Sequence, residues 1–244
     1  MTDLSLAMEI GLAVGIVSAG GVIRGFTGFG MGFVLAPLLT LLWGPVEAVA
    51  TTLTLGVITS VQLVIPALRL VQWRNVAPMM IGTLFISPLG THLLLTAEPG
   101  VIKQFIAGAV LVLAIIMLRG WVYRGPRGVV PSMMVGSLGG FLNGIAAVGG
   151  GPVVLYLMSL PDKTEVHRAN IVISIAFLPV VACFFLMQGG ALTQKILVND
   201  AILVVPTMLG VWAGARLFKF LPEKAFRLTV LWTLIFISGA MLVV

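Results

Sequence analysis

Two glycine-rich interruptions inside long apolar runs constrain this sequence more than any other feature. A membrane crossing takes about 20 apolar residues, and residues 5–43 and 129–159 are each too long for one. The first interruption reads Gly20-Gly21-Val22-Ile23-Arg24-Gly25-Phe26-Thr27-Gly28-Phe29-Gly30-Met31-Gly32. The second reads Gly139-Gly140-Phe141-Leu142-Asn143-Gly144-Ile145-Ala146-Ala147-Val148-Gly149-Gly150-Gly151-Pro152. Glycine destabilises a helix by about 1 kcal/mol per residue relative to alanine, and an arginine at bilayer depth is costly unless a partner or water meets it. Loosened backbone is tolerated there only where it faces protein or water. Each long segment is therefore expected to be a broken helix or a re-entrant hairpin.

The rest of the chain reads as membrane protein throughout. It has 244 residues, 59% hydrophobic and 9% charged, with mean hydropathy +1.17. A soluble domain carries about 25% charged residues. The apolar runs are continuous, whereas a membrane β-barrel alternates in short segments. The expected fold is all-α and polytopic, with about eight hydrophobic segments near 5–43, 46–66, 75–96, 100–118, 129–159, 166–188, 196–218 and 223–243. Asp3 and Glu9 stand where a cleaved signal peptide would be basic. The single Cys183 excludes an internal disulfide. The net charge of +6 is assigned to cytoplasmic loops, so no nucleic-acid partner is expected.

The interruptions belong to a repeat. Gly20-Gly21, Gly25, Gly30 and Gly32 match Gly139-Gly140, Gly144, Gly149 and Gly151 at a constant offset of 119. Pro78-Met79-Met80-Ile81-Gly82 resembles Pro206-Thr207-Met208-Leu209-Gly210, Gly90-Thr91-His92-Leu93 resembles Gly214-Ala215-Arg216-Leu217, and Pro99 resembles Pro222. Residues 1–122 and 127–244 thus read as two membrane repeats. Arg69, Arg74, Arg119, Arg124 and Arg127 fall on one face. If residues 129–159 dip in and return, Lys163, Arg168, Lys219, Lys224 and Arg227 join them and only Lys195 of that half lies opposite. That arrangement obeys the positive-inside rule better than a single crossing, and it makes the repeats inverted.

Paired, broken segments at matching places are the sequence sign of a transporter site. Unwound backbone and helix N-termini offer N–H groups to an anion. Close helix packing is the competing reading, because Gly21-xxx-Gly25, Gly28-xxx-Gly32 and Gly140-xxx-Gly144 all fit the small-xxx-small pattern. The duplication, with Arg24 and Asn143 at equivalent positions, favours a site, and both readings can hold together. Arg24 reads equally as a countercharge for an oxyanion or as a donor to carbonyls freed at the break. All eight acids (Asp3, Glu9, Glu47, Glu98, Asp162, Glu165, Asp200, Glu223) lie near segment ends. None is expected to neutralise Arg24.

The candidate anion-binding set is Arg24, Gly25, Phe26, Thr27, Gly28, Thr51, Thr52, Asn143, Gly149, Gly150, Gly151 and Asn170, with Gln62 and Ser174 as weaker members. Thr51 and Asn170 match at the same offset, a turn or two into their helices. His167 and Arg168 are candidates for gating or coupling. HExxH, Walker and Cys/His metal motifs are absent, as is a pair of embedded carboxylates. Neither an enzyme nor a metal or other cofactor is expected, and a Cys183–His dyad has no supporting spacing.

On these residues the chain resembles the TauE/SafE family of sulfite exporters and organosulfonate transporters. The resemblance rests on Gly25-Phe26-Thr27-Gly28-Phe29-Gly30, on Gly140-xxx-Gly144-xxxx-Gly149-Gly150-Gly151-Pro152, on Arg168-Ala169-Asn170 and on Gly214-Ala215-Arg216. It covers nearly the whole length. It implies a duplicated membrane fold that moves small sulfur-containing anions such as sulfite, sulfoacetate, isethionate or taurine. The combined expectation is a secondary transporter working by alternating access in a bacterial inner membrane. A passive anion channel is the alternative. The expected partners are a small anion and the lipid bilayer; a coupling proton or sodium ion and a homodimer are left open.

Overall fold

The computed structural model describes the backbone of residues 3–121, 123–217 and 223–243; the side chains of 3–7, 62, 164, 223–227 and 243 are not described. The candidate Gln62 and the expected inside cations Lys219, Lys224 and Arg227 therefore lie outside the described residues. Among those described, the chain is a set of ten helices with no strand. They are α1 (Asp3–Thr27), α2 (Met31–Trp43), α3 (Pro45–Ala67), α4 (Trp73–Thr96), α5 (Pro99–Leu118), α6 (Val129–Ala146), α7 (Gly150–Leu157), α8 (Thr164–Gln188), α9 (Gln194–Leu217) and α10 (Glu223–Val243). The eight expected segments become ten helices because the two glycine-interrupted ones each divide, into α1–α2 and α6–α7. Among the described residues, six helices are long and apolar enough to cross a membrane: those within Met8–Thr27, Trp73–Thr96, Pro99–Leu118, Val129–Ala146, Glu165–Gln188 and Gln194–Leu217. The protein is an all-α, multi-pass membrane protein.

The two breaks are built alike. The carbonyl of Arg24 accepts from Gly28 N–H at 2.7 Å, and the carbonyl of Asn143 accepts from Ala147 N–H at 3.0 Å. The next residue of each pattern is left-handed: Gly28 has φ 81° and Ala147 has φ 56°. That conformation costs an L-residue about 1–2 kcal/mol and glycine almost nothing. Gly28 and Ala147 stand at the same 119-residue offset, so the second break makes the turn without the glycine.

Both long segments double back. Along α6–α7 the hydroxyls of Ser132 and Tyr156 lie 3.0 Å apart, and Arg127 Nη2 donates to Ser159 O at 2.8 Å. Residues 129–159 therefore end on the face where they began. Along α1–α2 a Cβ placed on Gly20 would run into Leu35 and Met31, and one on Gly30 would meet Ile23, so α2 returns along α1.

Cross-links between loops sort the charges. Gln72 Nε2 donates to Asp162 Oδ1 at 3.1 Å, and Gln72 N–H donates to Asn170 Oδ1 at 2.8 Å. The loop carrying Arg69 and Arg74 thus lies beside the one carrying Lys163 and Arg168, on the face of Arg127. At the opposite end of α3, Glu47 pairs with Lys195 at 3.1 Å. This is the arrangement expected if residues 129–159 return. The α1–α2 hairpin enters from the Glu47–Lys195 face and α6–α7 from the arginine face.

Packing repeats across the chain. Helix α1 runs parallel along α9, and α6 runs parallel along α4. A Cβ on Gly21 would strike Thr207 O, and one on Gly140 would strike Thr83 O. Gly25 stands likewise against Val211 O and Gly144 against Ser87 O; Gly214 meets Val22 O and Gly90 meets Phe141 O. Absence of a side chain lets the backbones touch, the packing mode of membrane helices. These contacts relate α4 to α9 at an offset of 124 residues. The Gly90–Gly214 match agrees with that offset, whereas the match of Pro78 with Pro206 is out of register by about one helical turn.

Candidate functional site

The two breaks open on one cavity. Its lining comes from Arg24 at the end of α1, from Phe29, Gly30, Met31, Gly32 and Phe33 at the start of α2, and from Thr52, Leu53 and Gly56 of α3. The second half adds Asn143, Ala147, Val148 and Gly150 around the start of α7, and Ile175, Leu178 and Pro179 of α8. The space, opening included, is about 430 Å³. Two helix N-termini, those of α2 and α7, meet there, each bringing backbone N–H groups and the positive end of a helix dipole.

The polar side chains of the cavity are donors. Arg24 is buried, 5% exposed. Its Nη2 donates to Ser60 Oγ at 2.6 Å and, more weakly, to Gly56 O at 3.5 Å. Ser60 in turn donates to Gly56 O at 2.6 Å. Arg24 Nε has no partner. No carboxylate lies within ion-pair distance of Arg24 among the described residues. Of the two duties expected for Arg24, donation to the carbonyls of its own break is not observed, since both acceptors are on α3. Asn143, also 5% exposed, leaves Nδ2 unpartnered. Buried donors left unpaired cost about 1–3 kcal/mol each.

Of the expected set, Arg24, Thr52, Asn143 and Gly150 line the cavity. The others have different surroundings. Gly25 packs on α9, Gly149 on Gly139 and Asn143, and Gly151 on Phe33 and Leu113. Phe26 is buried outside the lining, and Gly28 forms the turn. Thr27 donates to Ile23 O at 2.8 Å, accepts from Phe29 N–H at 3.2 Å and faces a neighbouring apolar pocket. Asn170 caps the start of α4 through Gln72 N–H. Thr51 faces Asp200 across α3 and α9. Ser174 is buried with an unpartnered hydroxyl outside the lining. His167 and Arg168 sit at the start of α8 on the basic face, away from the cavity. Gly21, Gly25, Gly140 and Gly144 therefore serve packing, whereas Arg24, Thr52, Asn143 and Gly150 line the cavity.

Sequence reasoning missed three features. Ser60 and Gly56, the Arg24 acceptors, lie a turn or two beyond Thr52 on the same helix and could have been found by that spacing. Ala147 carried no signal. Asp200 lies near the start of α9 as expected, yet it is 2% exposed there, with both oxygens unpartnered. Distance from a segment end in sequence did not measure depth.

Comparison with known proteins agrees with this architecture. The family model described as sulfite exporter TauE/SafE matches residues 12–241. The chain belongs to the TauE/SafE family. Among curated TauE/SafE proteins it is 25% identical over 209 residues to a probable sulfite/organosulfonate exporter TauE of Cupriavidus necator, covering 82% of this chain and 81% of that one. No solved structure matches the chain significantly. Membership agrees with a multi-pass membrane protein of a family described as exporters, and the cavity lies between the chain's two glycine-rich segments.

Proposed function

We propose that the protein is a secondary transporter of a small sulfur oxyanion or organosulfonate, of the sulfite, sulfoacetate, isethionate or taurine class, in a bacterial inner membrane. The observation that carries this reading is the convergence of unpartnered Arg24 Nε and Asn143 Nδ2 with two helix N-termini in one buried cavity free of ion-paired acid. Guanidinium and amide N–H groups suit the oxygens of a sulfite or sulfonate, and burial strengthens them. The name of the Cupriavidus necator relative supports the same substrate class.

The chain is read as an inverted duplication, 1–122 and 127–244. The exchanged pairs α1–α9 and α6–α4, and hairpins that enter from opposite faces, support it. Alternating access then moves these packed pairs about the cavity. Thr52 and the amides after Gly30 and Gly150 contribute hydrogen bonds. His167 and Arg168, on the basic face and apart from the cavity, take a gating role rather than a binding one.

The test is counterflow of sulfite, isethionate, sulfoacetate and taurine in proteoliposomes. Exchange of at least one, abolished by Arg24→Ala in protein that still folds in detergent, is the expected result. Unchanged transport of every one by Arg24→Ala removes the proposed site, and conduction without exchange replaces the transporter by a pore.

A further inference from the structure

Outside the cavity, Asp200 is the one acidic side chain among the described residues that is fully buried. It lies on α9 about 8 Å of helix rise beyond Lys195. Neither carboxylate oxygen has a hydrogen-bond partner. The hydroxyls of Thr51 and Thr54 on α3 face it. Thr54 is engaged, donating to Ala50 O at 2.9 Å, while Thr51 is unpartnered.

The titratable groups around it bring no cation. Glu47 on α3 faces it and is paired to Lys195, which is 71% exposed at the membrane face. Cys183 on α8 lies on the same group. The parallel register of α1 with α9 puts half-buried Glu9 at about that level. Arg24 is held by Ser60 and Gly56.

A carboxyl group in such a place must carry a proton or hold a cation. A metal cation needs a shell of several oxygens. Here helix carbonyls are taken by helix hydrogen bonds, leaving only the carboxylate and two hydroxyls. A proton needs one oxygen and one hydroxyl.

We propose that Asp200, with Thr51 across the α3–α9 contact, is the proton site that couples transport. It rests on the reading of the cavity as a transport site. An O–H bond forms on one Asp200 oxygen with a proton from water on the Glu47–Lys195 face, and breaks when that proton returns to water in the other orientation of the cavity. No electrons are exchanged. Helix α3 links the two sites, because Thr51 faces Asp200 and its neighbour Thr52 lines the cavity.

The experiment compares wild-type protein with Asp200→Asn in proteoliposomes, with sulfite and isethionate as probes. The variant is expected to keep counterflow and to lose accumulation driven by a pH gradient. Infrared difference spectra between acid and alkaline buffer are expected to show a buried un-ionised carboxyl band in wild type that Asp200→Asn lacks. Thr51→Val is expected to shift the pH of half-maximal gradient-driven accumulation. Full pH-driven accumulation by Asp200→Asn, wild-type accumulation driven by sodium alone, an infrared band unchanged in Asp200→Asn, or an unshifted pH dependence in Thr51→Val would each overturn the proposal. If neither probe is transported by wild type, the functional reading fails, and the infrared band alone decides the proton site.

Discussion

Arg24 Nη2 donates to the hydroxyl of Ser60 at 2.6 Å, joining the end of α1 to the middle of α3 while Nε stays unpaired. The bond holds the guanidinium in one orientation and leaves part of its donor set for a ligand. Arg24→Lys keeps the charge and loses the fork. A hydrogen bond to a charged group contributes about 1.5–3 kcal/mol, so sulfite affinity is expected to fall roughly 10-fold to 150-fold. Ser60→Ala frees the guanidinium and is expected to weaken affinity less. Titration of each variant by thermal shift checks both, and an Arg24→Lys affinity equal to wild type would contradict the arrangement.

The two asparagines separate binding from stability. Both leave a buried Nδ2 unpartnered, but Asn143 lines the cavity, whereas Asn170 lies outside it and accepts from Gln72 N–H at the start of α4. Asn143→Ala should reduce anion affinity and leave the melting temperature near wild type. Asn170→Ala should lower stability by about 1 kcal/mol through the lost cap and leave affinity unchanged. The opposite pattern in paired melting and binding measurements would show that the roles are exchanged.

Glycine contacts at the helix pairs give a matched test. Gly25→Val drives a side chain into the backbone of Val211, and Gly144→Val drives one into that of Ser87. Overpacking of this kind costs about 1–3 kcal/mol or more. Detergent unfolding of the two variants should show similar losses, because the two contacts are equivalent. A variant as stable as wild type at either site would mean the backbones do not touch there.

Sidedness follows from the loop contacts. Cysteine introduced at Arg124 or at Lys163, in a Cys183→Ser background, should react with a membrane-impermeant maleimide from the same side, because residues 129–159 lie between them. Labelling of the two positions from opposite sides would break the assignment of residues 129–159 as a returning hairpin.

The glycine duplication made the two hairpins, their shared cavity and its Arg24–Asn143 pair legible, because backbone that cannot remain helical must find protein or water wherever it lies. What escaped the sequence was the identity of neighbours across helices. Thr51 and Asn170 match in the repeat, yet one meets Asp200 on α9 and the other Gln72 at the start of α4. At the structural offset of 124, Asp200 corresponds to Val76, so the acid on α9 has no counterpart on α4. A polar residue's place along its helix is legible in the sequence, but not what it faces. Asp200 escapes the sequence for the same reason: six residues into α9 it is already covered by α3, a neighbour that the sequence does not name.

Each hairpin is clasped by a helix that the other half supplies, α1 by α9 and α6 by α4. During synthesis Gly21 and Gly25 have no backbone to lie against until residues 207–215 have emerged. The N-terminal portion must then wait in the membrane with that seam unfilled, and the final interlocked shape is reached only as the far end of the chain arrives.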